Sequence, residues 1–208
     1  NSSGNVYSGT IPEMPYNTNV EYYVVATDAS SSSNTAETSV YSFFTKKPAP
    51  VFTVGTQALL GGTNGISPYN YYWESRRVQF VYTAQELLAA GCLPSPIISI
   101  AWDVSSMNGG NLLNYQIRMA HTSATNASAH NSTALTTVKN PFTLTPGNTG
   151  WYTIPFDTPF QWNGTDNILV DVCWGVNPSY TSTGEIWFYN NNTNQTRGAT
   201  SSTINQCS

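Results

Sequence analysis

Side chains that could act as nucleophiles, acids, bases or metal ligands are sparse in this chain: two histidines, three cysteines and eleven Asp and Glu in 208 residues. No serine sits in a Gly-x-Ser-x-Gly elbow and no His-Glu-x-x-His occurs, so neither a hydrolase nor a zinc-protease signature is present. His121 closes an alternating run and reads as an edge histidine, and His130 lies in a polar loop. Two carboxylates a few ångströms apart would suffice for a glycosidase. Asp157 with Asp166 and Glu74 with Glu185 are candidate pairs, but chance pairs are expected among eleven acids. The residues therefore predict no enzyme. Asp103, Asp157, Asp166 and Asp171 read as strand-end or corner residues with Asn and carbonyl oxygens nearby. They are weak calcium candidates, because calcium takes six to eight oxygens and no EF-hand loop is present. Solvated turn aspartates capping backbone N–H groups are the simpler reading, so no cofactor is expected beyond a structural calcium ion. Cys92, Cys173 and Cys207 show no CxxC spacing. A Cys92–Cys173 bridge, a Cys173–Cys207 bridge and buried thiols all stay open.

Aromatic residues give the stronger binding signal. Tyr69, Tyr71, Tyr72 and Trp73 follow a Gly-rich loop, and Trp174, Tyr180 and Trp187 flank another. Planar rings stack on the apolar faces of sugars while Asn, Asp and Arg bond the hydroxyls, so these seven are candidate glycan contacts. The competing reading puts Trp73 and Trp187 in a core and the tyrosines over sheet edges.

Composition narrows the classes further. Charged residues make up 9 % of the chain and aromatics 13 %, against about 25 % charged in typical domains. Disordered chains are poor in aromatics, so disorder is excluded. The net charge is −4, with seven Lys and Arg in all, which leaves no footprint for nucleic acid or anionic lipid. No apolar run approaches the roughly 20 residues of a membrane-spanning helix. Asn1 begins in mid-pattern, which reads as a chain excised from a longer precursor.

The elements that must position these residues are strands. Gly150 to Trp174 is the organising stretch. Tyr152, Ile154 and Phe156 share one face of a short strand. Ile168, Val170, Val172 and Trp174 then alternate with Leu169, Asp171 and Cys173 in a half-buried one. Pro155 and Pro159 end the first of these or confine it to an edge. Further strands are predicted over 6–11, 20–27, 40–45, 73–82, 97–104, 112–122 and 185–189, with one or two weak ones over 135–144. Thr83 to Gly91 predicts one helical turn: Thr83 caps it, Glu86 completes a capping box, Gly91 ends it, and Leu87 and Leu88 anchor it. Lys46 to Thr53 is Pro-containing and linker-like.

Gly9-Thr10-Ile11-Pro12, Tyr22-Tyr23-Val24-Val25-Ala26-Thr27-Asp28, Asn34-Thr35-Ala36 and Tyr41-Ser42-Phe43 resemble the C-terminal half of a fibronectin type III module. That resemblance implies a tyrosine corner at Tyr22 or Tyr23. With the first strands missing, the half-module would pack on the second domain, reflect truncation, or accept strands from a neighbour. Tyr82 to Leu87, Ile98 to Trp102, Ile117 to Thr122 and Gly150-Trp151 running to Cys173 resemble a module of large secreted surface proteins of Bacteroidetes bacteria. The resemblance implies surface adhesion, association with secreted hydrolases and type IX secretion, and leaves open whether the module's final strand is included. In that setting the Asn-x-Ser/Thr triplets at Asn126, Asn131, Asn163 and within 190–196 reflect composition.

The expected architecture is all-β: a partial fibronectin type III-like sandwich over 1–46, a linker over 47–52, and a jelly-roll-like antiparallel β-sandwich with one short helix and about eight strands over 53–208. The expected function is a non-catalytic structural or adhesive module of a large secreted bacterial cell-surface protein, located extracellularly. Its partners would be glycans or other surface proteins. The alternatives are a carbohydrate-binding module of a secreted hydrolase and a filament subunit that self-associates by strand complementation.

Overall fold

The computed structural model describes residues 8–56, 59–61, 67–70, 72–107, 110–131, 133–145, 147–175, 184–190 and 192–207. The chain divides into two compact units at Val51/Phe52.

The first unit is one long antiparallel ribbon. Strand β1 (Asn19–Tyr22) pairs with β4 (Tyr41–Phe44), and β2 (Val25–Thr27) pairs with β3 (Thr35–Glu37). The register slips by one residue between the two ladders. Thr38 spans the slip: its N–H donates to the Val24 carbonyl, and its hydroxyl accepts from the Val24 N–H, both at 3.0 Å. This irregularity divides the single strand expected over 20–27. At the tip, Asp28 Oδ1 accepts from the Ser30 and Asn34 N–H groups and the Ser30 hydroxyl, and Oδ2 accepts from the Asn34 amide. These bonds favour the charged carboxylate and hold it at about 2. Val20, Tyr22, Tyr41 and Phe43 share one face of the ribbon. Tyr22 stacks on Tyr41 with centroids 5.5 Å apart, yet only Val20 is buried. Tyr22 and Tyr23, expected to supply a tyrosine corner, are both exposed. Residues 8–11 form no strand, and Val6 and Tyr7 lie outside the described residues.

The second unit is a jelly roll with one strand added at an edge. Its elements are β5 (Leu59–Gly61), β6 (Ser75–Tyr82), α1 (Ala84–Ala89), β7 (Pro96–Ser106), β8 (Leu112–Thr122), β9 (Thr136–Leu144), β10 (Gly150–Gln161), β11 (Asn167–Trp174), β12 (Glu185–Phe188) and β13 (Thr196–Ser201). One sheet has the order β10-β7-β12-β5 and the other β13-β6-β11-β8-β9, all pairs antiparallel. From β5 to β12, successive strands alternate between the sheets except at the β8–β9 hairpin, which is the double-Greek-key connectivity. Val78, Phe80, Ile117, Met119, Ile168, Val170 and Val172 of the second sheet meet Trp102, Val104, Ile154, Phe160 and Ile186 of the first in one core. The strand β13, inside what reads in sequence as a polar Asn/Thr tail, was not expected from the residues. It lacks an apolar alternation because it only extends the β6 edge.

Pro155 and Pro159 fit where the chain can tolerate them. β10 is an edge strand, and its register with β7 breaks between Pro155 and Phe160. It runs on to Gln161, longer than the short strand expected. The helix carries the reciprocal Thr83/Glu86 capping box and ends before Gly91 at φ 87°. Leu87 is buried, but Leu88, expected to help anchor the helix, is exposed.

Candidate functional site

An aromatic cleft of about 370 Å³ opens where β12 leaves its neighbour. β12 pairs with β7 only at Glu185 and Ile186. From Trp187 on, β12 pairs with β5 alone, so β7 residues 101–103 are left without that partner. Trp151 in β10 is the register partner of Asp103 in β7, and both line the cleft with Trp187, Phe188 and Tyr189. Trp151 is 61 % exposed and Tyr189 51 %. Rings this open on a cleft wall offer flat apolar faces to a ligand. Tyr82 also contributes, its phenol raised to about 12 by burial, so it stays neutral at physiological pH.

Polar groups continue from this aromatic wall. Glu86, Thr193, Asn194 and Gln195 line the cleft and also a neighbouring polar cavity of about 460 Å³ that reaches Gln85, Thr125, Asn126 and Ser128. Glu86 is held in place: its Oε2 accepts from the Thr83 N–H and hydroxyl and from the Gln195 amide at 2.7 Å. The described lining residues of both cavities include no Lys or Arg, while Asp103 and Glu86 supply negative charge.

Of the five aromatic candidates among the described residues, the structure brings only Trp187 to this cleft. Tyr69 and Trp174 are fully buried and belong to the core, so they are not glycan contacts. The alternation partners of Trp174, Val170 and Val172, point the same way into the sandwich. Tyr72 and Trp73 are exposed and meet edge to face at 5.5 Å, outside the cleft lining. Tyr71 and Tyr180 lie outside the described residues. Trp151 and Tyr189 were missed. Trp151 precedes an inward Tyr152 on an alternating strand, and that offset was the available signal for an outward ring.

The calcium candidates are dispersed. Asp103 is in the cleft wall. Asp157 accepts from Lys139 Nζ at 2.7 Å and from the Asn140 N–H, chiefly the Lys139 bond holding it below the usual carboxylate range. Asp166 accepts from the Asn163 amide across a turn. Asp171, expected at a strand end or corner, stands mid-strand in β11, fully buried. Its two oxygens accept from Arg77 Nε at 2.6 Å, Gln79 Nε2 at 2.7 Å and Arg118 Nη2 at 2.7 Å, an arrangement that repels a cation. No group of three or more His, Cys, Asp or Glu side chains converges among the described residues.

This carboxylate anchors the outer face of the five-stranded sheet. Arg197, Gln79, Asp171 and Arg118 form a register row across β13, β6, β11 and β8. Gln79 exchanges hydrogen bonds with the Asn131 backbone, and Arg118 reaches the Cys207 carbonyl. Cys207 is disulfide-bonded to Cys173, and Cys92 is a free, buried thiol. Leu169 sits under Ala127 and Leu135. β11, expected to be half-buried, is thus buried on both faces, because a loop and the 201–207 segment cover its outer side. Burial, then Arg77 and Arg197, lowers the pKa of His130; Arg197 Nε donates to its Nδ1. His121 is half-buried, its ring centroid 4.8 Å from that of Phe160.

Comparison of the chain with protein-family models, with curated proteins and with solved structures finds no match.

Proposed function

We propose that the chain is a non-catalytic adhesive module whose jelly roll holds a neutral glycan in the Trp151–Trp187–Tyr189 cleft. The observation that carries this reading is the cleft itself: open aromatic faces of Trp151 and Tyr189 together with Asp, Glu, Asn and Gln side chains in one lining. Ligand sites combine apolar area with a few placed polar groups in this way. The absence of Lys and Arg from the described lining, with Asp103 and Glu86 present, disfavours anionic polysaccharides. The Cys173–Cys207 bridge favours an oxidising, extracellular setting, in keeping with the bacterial surface proteins the sequence resembles.

A glycan array followed by calorimetry tests this. Trp151→Ala should leave the fold intact, since the ring is mostly exposed, and weaken binding at least tenfold, about 1.4 kcal/mol. Binding to no neutral glycan, or unchanged binding by both Trp151→Ala and Trp187→Ala, would remove the reading. A second reading, self-association by strand complementation, draws on the exposed aromatic face of the ribbon at Tyr22, Tyr41 and Phe43.

A further inference from the structure

Arg76 is in β6 opposite Trp174 in β11. It is 1 % exposed, and its strand neighbours Val78 and Phe80, two and four residues on, are core residues. The guanidinium therefore lies on the apolar side of the sheet. Arg77 and Arg118 share Asp171, and Lys139 has Asp157. Arg76 has no such carboxylate among the described residues, and its Nε and Nη2 make no hydrogen bond. Burial lowers its pKa only to about 10, so it is charged at neutral pH. A buried charge left uncompensated is strongly destabilising, and folded proteins pair such groups.

The two idle atoms are informative. Nε–H and Nη2–H lie side by side on one edge of the guanidinium fork, the edge that grips a carboxylate through two parallel bonds. Across the ladder, the Trp174 indole N–H is also buried without a partner. Tyr115 stacks on Trp174 at 6.0 Å, and Tyr69 stacks on Tyr115 at 6.2 Å. We propose that this end of the sandwich is a binding site for a small carboxylate-bearing molecule. The Arg76 edge takes both oxygens, and the Trp174 N–H is a further donor. The site is distinct from the glycan cleft. Neither Arg76 nor Trp174 lines that cleft, and Phe80, the cleft residue nearest to Arg76 along β6, is four residues away, about 13 Å.

Acetate binding to the full 208-residue chain is the test, read by calorimetry and tryptophan fluorescence, with sodium chloride matching ionic strength and phosphate as comparator. The expected result is saturable binding of one acetate that raises Tm, and at least a tenfold loss of affinity in Arg76→Met. That variant should fold, because replacing a lone buried charge by an apolar side chain of similar length is neutral or stabilising. Trp174→Phe, which keeps the ring and removes the N–H, should weaken acetate binding less than Arg76→Met. Failure of acetate to saturate on the native chain overturns the proposal. So does equal binding by Arg76→Met, and so does tighter binding of phosphate than of acetate, which would assign the edge to a tetrahedral anion.

Discussion

Asp171 shows how much one side chain can organise. It is completely buried, and three side chains converge on its two oxygens. Asp171→Asn leaves Arg77 and Arg118 facing each other without their counter-charge, and should lower unfolding free energy by about 3 kcal/mol in urea titrations; a change below about 0.5 kcal/mol, the scale of ordinary surface substitutions, would show the pairing to be energetically idle. Asp28 makes the opposite case, an exposed carboxylate set by local bonds. Its folded value of about 2 lies below the ordinary 3.8. The contribution to ribbon stability is therefore fully present above 3.8 and is lost as pH falls through about 2. An NMR titration of the Asp28 carboxyl carbon should give a midpoint near 2, and Asn34→Ala should move it upward. An unshifted midpoint in the native chain would contradict the bonds at the tip.

At the level of elements, β11 is the strand on which the sheet depends. Leu169, Asp171 and Cys173 face outward, yet each is covered: by Ala127 and Leu135, by the arginine row, and by the bridge to Cys207. The bridge closes a loop across 34 positions in sequence, which by chain entropy stabilises by about 4 kcal/mol. Cys207→Ser should lower stability by that order and increase hydrogen exchange at Arg118 and Cys173 before it affects β7; equal stability with and without the bridge in calorimetry would refute this. How much of this was legible differs by residue. The alternation from Ile168 to Trp174 placed the inward face correctly, because a strand's period is two whatever surrounds it. The burial of the outward face was not legible. Its covers come from positions roughly 30 to 90 residues before β11 and about 30 after it, and nothing local records them.

For the whole molecule, stability is unevenly spread. The jelly roll has a continuous core between two sheets. The N-terminal unit has one irregular ribbon whose only buried apolar residue among the described ones is Val20, with Tyr22, Tyr41, Phe43 and Phe44 exposed. A lone two-stranded ribbon is marginal in water, and an open aromatic face recruits cover. The expected outcome is concentration-dependent self-association of the purified chain in light scattering, suppressed by Phe43→Glu. A monomer at every concentration would exclude self-complementation as the source of that cover.

The sequence by itself determined that this is an all-β chain with one capped helical turn. Period-two alternation, prolines at strand edges and the Thr83-x-x-Glu86 box act over a few residues and need no partner to be read. It also determined that reactive groups are scarce. Only the tertiary structure decided which rings face solvent: Trp174 went to the core, Trp187 to a cleft, and Trp151 emerged beside it. It alone chose Cys207 as the mate of Cys173 and left Arg76 without a carboxylate among the described residues. These outcomes depend on which strands the double Greek key sets side by side, and that pairing links residues dozens of positions apart.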